Sequence, residues 1–419
     1  MLRSTVREFL ASEAMAALGV PTTRALCIVS TGEKVRRSWY DDYGMERVMM
    51  EDGAVGTRVA TSFLRFGQME LFYQRGELDL LRELAEHCLA REFSHLLVQH
   101  PSEQLSKQLV LMFDQVCERQ ASLVAEWLRV GYCQGNMNSD NAALGGVTLD
   151  YGPFAFMEKF NIQYNPWVGG GLPYSFGRQP QAAATNLVGL AQAFLALVEV
   201  VAKADGLSAA EAEALLGELR RGVSHTFVDA FNAKHEANCR AKLGLRGWDA
   251  DADELWSELM RLMTSRSGVG LDYTLFFRAL GTAPPPEGVE AWLEGASEAE
   301  LLGGAVGHAA LQPSDEWPSE HREEWAEWTR RYWRRVGEEA RPADERVAEM
   351  NKANPKYILR NSMAAEAYEA AARGEYDVLR ELHRVLQRPY EDQGEEVDAR
   401  WATPTPTWAR ERPGLAFMS

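Results

Sequence analysis

The sequence lacks any run of about 18 uninterrupted apolar residues, so no membrane-spanning helix is expected. Its first residues, MLRSTVREFL, lack the long apolar core of a signal peptide. Basic residues are outnumbered, 44 Lys and Arg against 61 Asp and Glu, for a net charge of -17. That argues against nucleic acid as a partner, although a local basic pocket for a nucleotide is still allowed. Cysteine is scarce too. Cys27, Cys88, Cys117, Cys133 and Cys239 are odd in number and form no Cys-x-x-Cys pair. They are expected to be reduced thiols of an intracellular protein, not a disulfide frame or a zinc site. His87, His95 and His100 have no Glu or second His at metalloprotease spacing, which leaves them as ordinary helix residues.

What remains is the composition of a globular protein, 46% hydrophobic and 25% charged, long enough to bury a large core. Residues 2–19 carry apolar side chains at helical spacing, stopped by Gly19 and Pro21. Strands are expected at Ala25–Val29 and Gly56–Ala60, with a polar loop over Arg36–Glu51 between them. From Gln68 to Val130 the pattern is helical, with amphipathic runs at Leu78–Phe93 and Leu111–Trp127. Phe154–Pro180 is a loop rich in Gly, Pro and aromatics. Its Gly169–Gly171 run is too short and badly placed to cradle phosphate. The chain after Ala182 is almost all helix. Ser208 is a candidate N-cap for a helix over 209–221, and three prolines within 283–288 interrupt the pattern. Trp325, Trp328, Tyr332 and Val336 share a helix face, which fits core packing better than a ligand site. The Pro-rich end, 402–414, is expected to be extended.

The most informative stretch is NMNSDNAALGGVTLDYG, 136–152. Two short apolar runs flank Gly145-Gly146, a two-residue hairpin signal that asks for φ > 0 at both glycines. In that register 144 faces 147, 142 faces 149, and Asn141 faces Asp150 at the open end, with Asp140 alongside. Oxygen donors so placed suit Mg²⁺, and a further Asp beside them suits proton acceptance from a hydroxyl. A surface hairpin with polar ends fits the same spacing. Arg58 and Arg65, in TRVATSFLRFG, are either solvated charges or a clamp on polyphosphate. The whole is an α+β pattern: a few strands, the polar hairpin, then a large helical part. A small sheet, metal-binding carboxylates at a junction and a helical lobe are how kinase-like folds are laid out, and Asp150-Tyr151-Gly152 is comparable with the kinase Asp-Phe-Gly. The division expected is a partial small lobe over 1–67, a large lobe over 68–400 holding the hairpin, and an extended tail over 401–419.

These motifs resemble the selenoprotein O family, protein adenylyltransferases on a pseudokinase fold. The resemblance runs through 2–26, 58–67, 135–157 and YSFGRQP at 174–180. It continues in LDYTLFFRAL at 271–280, NPKYILRN at 354–361 and LQRPYED at 386–392. It implies that ATP binds in a flipped orientation and that AMP passes to Ser, Thr or Tyr hydroxyls of proteins. Asp140 would be the catalytic base, Asn141 and Asp150 the ligands of Mg²⁺ (or Mn²⁺), and Arg58 and Arg65 the contacts to ATP phosphates. Glu8 would be the helix Glu that pairs with a nucleotide-binding Lys. The family's glycine-rich segment and that Lys lie upstream of the opening helix and are absent here. Glu8 is therefore expected to lack its Lys partner, and AMP transfer by these 419 residues to be weak or nil. Clear turnover of labelled AMP that Asp140→Ala abolishes would contradict this.

Members commonly end in a short tail with Cys or selenocysteine before two serines, whereas this chain stops at Ser419. A selenocysteine codon read as a stop would explain that, as would simple truncation. No Cys lies in 154–180, which puts redox control by a loop–tail pair in doubt. Relatives are mitochondrial in eukaryotes and cytoplasmic in bacteria. The alternative reading is a catalytically inactive pseudokinase-like scaffold. An ordinary phosphotransferase fits less well, because kinases set the metal Asn five residues after the catalytic Asp and here the two are adjacent.

Overall fold

The computed structural model describes residues 1–40, 46–167, 169–264, 270–282, 288–410 and 412. Helix α1 (Leu2–Ala17) buries Val6, Leu10, Ala14 and Met15, three and four residues apart, so one apolar stripe faces inward. Gly19 ends it at φ 77°, a left-handed conformation that glycine adopts without a Cβ penalty. Two long antiparallel strands follow, β1 (Arg24–Tyr40) and β2 (Glu46–Val59). The polar stretch expected to be a loop is thus the outer half of a two-stranded ribbon: Val35 pairs with Glu51 and Arg36 with Met50. The polar side chains concealed this, because they leave no apolar alternation to read. Both halves of the ribbon meet α1: Gly56 lies against Thr5, and Glu51 lies 3.7 Å from Arg3.

Helices α2 (Phe66–Gln74), α3 (Leu78–Glu92), α4 (Ser94–Gln99) and α5 (Leu105–Arg129) bear out the helical reading of 68–130. Strands β3 (Tyr132–Cys133) and β4 (Ala155–Phe156) pair with each other and pinch the base of the 136–152 segment. Beyond them come α6 (Gln179–Ala204), α7 (Ala209–Arg221) and α8 (Val228–Leu243). Ser208 caps α7 in a reciprocal pair with Glu211, as its sequence position promised. The stretch Phe176–Ala204 is long and apolar enough to cross a bilayer, yet half of its most apolar window is buried within the fold. There α6 packs along α5, α2 and α7, the work of a core helix.

The remaining helices are α9 (Ala250–Met263), α10 (Tyr273–Thr282), α11 (Val289–Gly295), α12 (Glu298–Gly303), α13 (Ala305–Ala309), α14 (Ser319–Glu338), α15 (Ala343–Ala353), α16 (Asn361–Ala372), α17 (Asp377–Leu386), α18 (Glu395–Trp401) and α19 (Thr407–Arg410). The tail is therefore not wholly extended, since α19 forms one helical turn. Of the proline-rich break, 283–287 lies outside the described residues. The fold is α+β. One core joins α1, α2, α5, α6, α16 and α17, and a second is built on α9, α10 and α14. Trp325, Trp328, Tyr332 and Val336 are buried in the second, as a packing stripe should be. All five cysteines are free thiols. Because α1 packs against both the ribbon and α16–α17, the C-terminal helices brace the helix that carries Glu8.

Candidate active site

The hairpin forms, but in a different register. Ala142 pairs with Thr148, not with Leu149. Only Gly146 takes positive φ (71°), and its N–H donates to the Ala143 carbonyl at 3.1 Å. A turn followed by a left-handed glycine makes a three-residue loop, and the extra residue shifts the pairing by one. Asn141 and Asp150 are therefore not directly opposed, although both flank the open end of the bridge. A Cβ at Gly146 would lie 2.4 Å from the Arg119 Cβ, in addition to the φ penalty. Gly146→Ala is expected to destabilise the fold by about 1–3 kcal/mol, read as a lower urea midpoint. An unchanged midpoint would contradict this turn.

The hairpin is held on both sides by backbone. The Thr148 N–H donates to the Pro21 carbonyl (2.8 Å), and the Thr23 N–H to the Thr148 carbonyl (3.1 Å). On the other edge the Phe66 N–H reaches the Ala142 carbonyl (2.9 Å), and the Leu144 N–H the Leu64 carbonyl (3.0 Å). Side-chain amides fasten the rest. Gln120 donates to the Ala143 carbonyl (2.7 Å), Gln134 to that of Asp150 (2.8 Å) and Asn186 to that of Met137 (2.7 Å). Buried carbonyls need donors, and three amides from three elements fix this loop more tightly than its short strands could.

Asp140 and Asn141 sit on a 3₁₀ turn, Ser139–Asn141, packed against the N-terminus of α2. Gly67 lies beside this turn, where a Cβ would meet the Asp140 nitrogen and Cα at an ordinary contact distance of 3.4 Å. The Ser139 hydroxyl donates to Glu70 on α2 (2.6 Å). The Tyr174 hydroxyl donates to Asn138 (2.7 Å), and burial together with the charge of Asp140 pushes the Tyr174 pKa up. None of Gly67, Glu70, Gln134 or Tyr174 was singled out from the sequence. Gly67 and Tyr174 lie in motifs that carry the resemblance, and that was the available signal.

The Asn141 amide nitrogen points to the Asn136 carbonyl at 3.4 Å, so its oxygen faces away from that contact. One oxygen of Asp150 accepts the Gly152 N–H (3.0 Å), which leaves the second for another partner. Among the described residues no group of three or more His, Cys, Asp or Glu assembles a metal cage. An amide oxygen with one carboxylate nevertheless fits a hard cation that keeps water and phosphate oxygens in most positions.

Glu8 and Arg58 meet across α1 and β2. Arg58 Nη1 lies 2.7 Å from Glu8, and Nη2 donates to the Thr23 hydroxyl at 2.7 Å. Glu8 thus has a cationic partner, an arginine where the resemblance implied a lysine. Burial nonetheless raises the Glu8 pKa; Arg58 opposes the shift and the nearby charge of Asp150 adds to it. The structure therefore gathers Glu8, Arg58 and Asp150 into one electrostatic neighbourhood. A carboxyl whose folded pKa is raised stabilises the fold below its unfolded pKa and loses that contribution as pH rises through the folded value. Urea denaturation should therefore show Glu8→Gln gaining stability relative to the parent as pH rises from about 4.5. A relative loss would contradict the assignment.

Arg65 precedes α2, where its N–H donates to Gln68 (2.9 Å), and it pairs with Ala143 of the hairpin. The Nε atoms of Arg58 and Arg65 are both buried without a hydrogen-bond partner. Phosphate oxygens would suit these donors, a feature that six other arginines among the described residues share. Beneath the site, Arg7 donates to the Phe154 carbonyl (2.9 Å) and to Asn361 (3.0 Å), tying α1 to the loop after Asp150 and to α16. Burial pulls the Arg7 pKa down to about 10, so it stays charged at neutral pH.

Oxygen donors at one hairpin end, with an acid alongside and two arginines on the adjoining elements, are the parts of a nucleotide-handling transferase. The comparisons agree. The family model for protein adenylyltransferase SelO matches residues 1–387. The protein nucleotidyltransferase YdiU of Rhodopirellula baltica is 39% identical over 433 residues, which cover all of this chain and 74% of that protein. The proteins of that name from Azoarcus sp. and Nitrosospira multiformis are each 38% identical, again over the whole chain, covering 73% and 72% of their lengths. The chain belongs to the protein adenylyltransferase SelO family and is a nucleotidyltransferase.

Proposed function

We propose that the chain transfers AMP from Mg²⁺–ATP to Ser, Thr or Tyr hydroxyls of proteins, on a kinase-like frame and at the low rate expected above, so that end-point labelling detects it and steady turnover does not. In this reading residues 1–67 belong to a small lobe, 68–400 to a large lobe and 401–419 to a tail. The observation that carries it is the grouping of Asp140, Asn141 and Asp150 at one hairpin end, with Arg58 and Arg65 on the elements beside it.

Asn141 and Asp150 would hold the metal through their unengaged oxygens. A bound Mg²⁺ offsets charge on the phosphate oxygens. Arg58, steadied by Glu8 and Thr23, and Arg65, steadied by the hairpin, bind the outer phosphates through guanidinium donors. Asp140 accepts the proton of the incoming hydroxyl. The acceptor oxygen bonds to the α-phosphorus, the bond from that phosphorus to the α–β bridging oxygen breaks, and pyrophosphate leaves. The amides from Gln120, Gln134 and Asn186 keep the segment that bears Asp140 from shifting, which preserves the attack geometry.

Labelled ATP tests this. Label at the α-phosphorus should pass to an unstructured acceptor protein, label at the γ-phosphorus should not, and a chelator should stop transfer. Transfer of the γ label would overturn the reading in favour of a phosphotransferase. The acidic surface, net charge -17, fits protein rather than nucleic-acid acceptors.

A further inference from the structure

Away from the hairpin, α8 and α9 enclose a half-open pocket of about 260 Å³ with the segment that runs from Phe160 to Pro180. Its walls are aromatic, among them Phe160, Phe176, Phe231 and Trp256. Roughly 150 Å³ is enough to admit a benzene ring. No carboxylate lines the pocket, whereas Arg129 and Lys242 both do.

The two cations differ in one respect. Arg129 is fully engaged: it pairs with Glu126 at 2.6 Å and donates to Ala353, Tyr390 and Leu18. Lys242 is as deeply buried but has no carboxylate within ion-pair distance among the described residues. Two of its three donors go to the Arg129 carbonyl (2.9 Å) and the Asn354 amide oxygen (3.1 Å). The third has only the ring faces of Phe277 and Tyr273, with centroids 4.0 and 4.6 Å away. Burial, and after it the charge of Arg129, push the Lys242 pKa well down, with Cys239 and Glu126 opposing in smaller part. A buried charge is expected to be paired, and a pocket opens beside this one.

We propose that this pocket binds a small amphipathic carboxylate, an aromatic or branched apolar acid that fills the aromatic walls and gives Lys242 its counter-ion. This stands independently of the transferase reading, since none of these side chains belongs to the hairpin site. Phe176 of the pocket nevertheless lies two residues after Tyr174, whose hydroxyl reaches Asn138, two residues before Asp140.

Calorimetric titration of the full chain with phenylacetate and with phenylacetamide, its neutral counterpart, tests the proposal. Phenylacetate should bind saturably and the amide at least about tenfold more weakly, as expected when a charge-assisted hydrogen bond is lost. Lys242→Met, similar in length and uncharged, should remove that discrimination. Should that variant not fold, Ile162→Trp at the pocket mouth decides instead, and it should weaken both probes. Absence of saturable binding, equal binding of acid and amide, discrimination that survives Lys242→Met, or no effect of Ile162→Trp would each overturn the proposal.

Discussion

Asp140→Asn is expected to lower AMP transfer by about 10²–10⁴-fold, the range for loss of a positioned general base. The substitution keeps size and shape, so the Ser139–Glu70 bond and the contact with Gly67 should survive. Stabilisation by Mg²⁺–ATP, read as a shift in melting temperature, should therefore be retained. That split separates proton removal from nucleotide binding. End-point incorporation makes the comparison possible even where turnover is slow. A variant that transfers AMP as the parent does would remove Asp140 from the chemistry.

Asp272→Ala should cost about 3–5 kcal/mol of stability, the effect of leaving one member of a buried ion pair alone. Asp272 is wholly buried and accepts from Arg360 Nη1 at 2.6 Å, and Arg360 is almost as deep. The other carboxylate oxygen caps α10 by accepting the Leu275 N–H at 2.9 Å. Glu158, at 3.4 Å from Arg360, offsets only part of the loss. Adding Arg360→Met to the Asp272→Ala variant should restore part of the stability, because no unpaired charge is then buried. The chemical-denaturation midpoint measures both. A change below about 1 kcal/mol for the single variant would show that Arg360 finds another partner.

Much of this was legible, for physical reasons. The helices announced themselves by apolar spacing, and Ser208 by its capping partner three residues on. The hairpin was found from Gly145-Gly146, but its register was not, because sequence does not say which glycine takes the left-handed conformation. The structure gives it to Gly146 alone. The ribbon over Arg36–Glu51 escaped because its polar side chains offer no apolar alternation to read. Glu8 was placed on the opening helix without a partner, and only the fold brings Arg58 to it. Asp272 and Arg360 stood within matched motifs, yet their pairing across 88 residues has no local signature. Glu70 and Tyr174 were missed for the same reason: each reaches the site by a single long-range hydrogen bond.

The measurement that bears most directly on the central claim is the mass added to an acceptor protein incubated with the chain, ATP and Mg²⁺. The account predicts the mass of AMP on a Ser, Thr or Tyr side chain, lost when Asp140 is replaced by Asn or when the metal is chelated. Addition of phosphate instead, or of AMP at the same level with Asn at position 140, would contradict it.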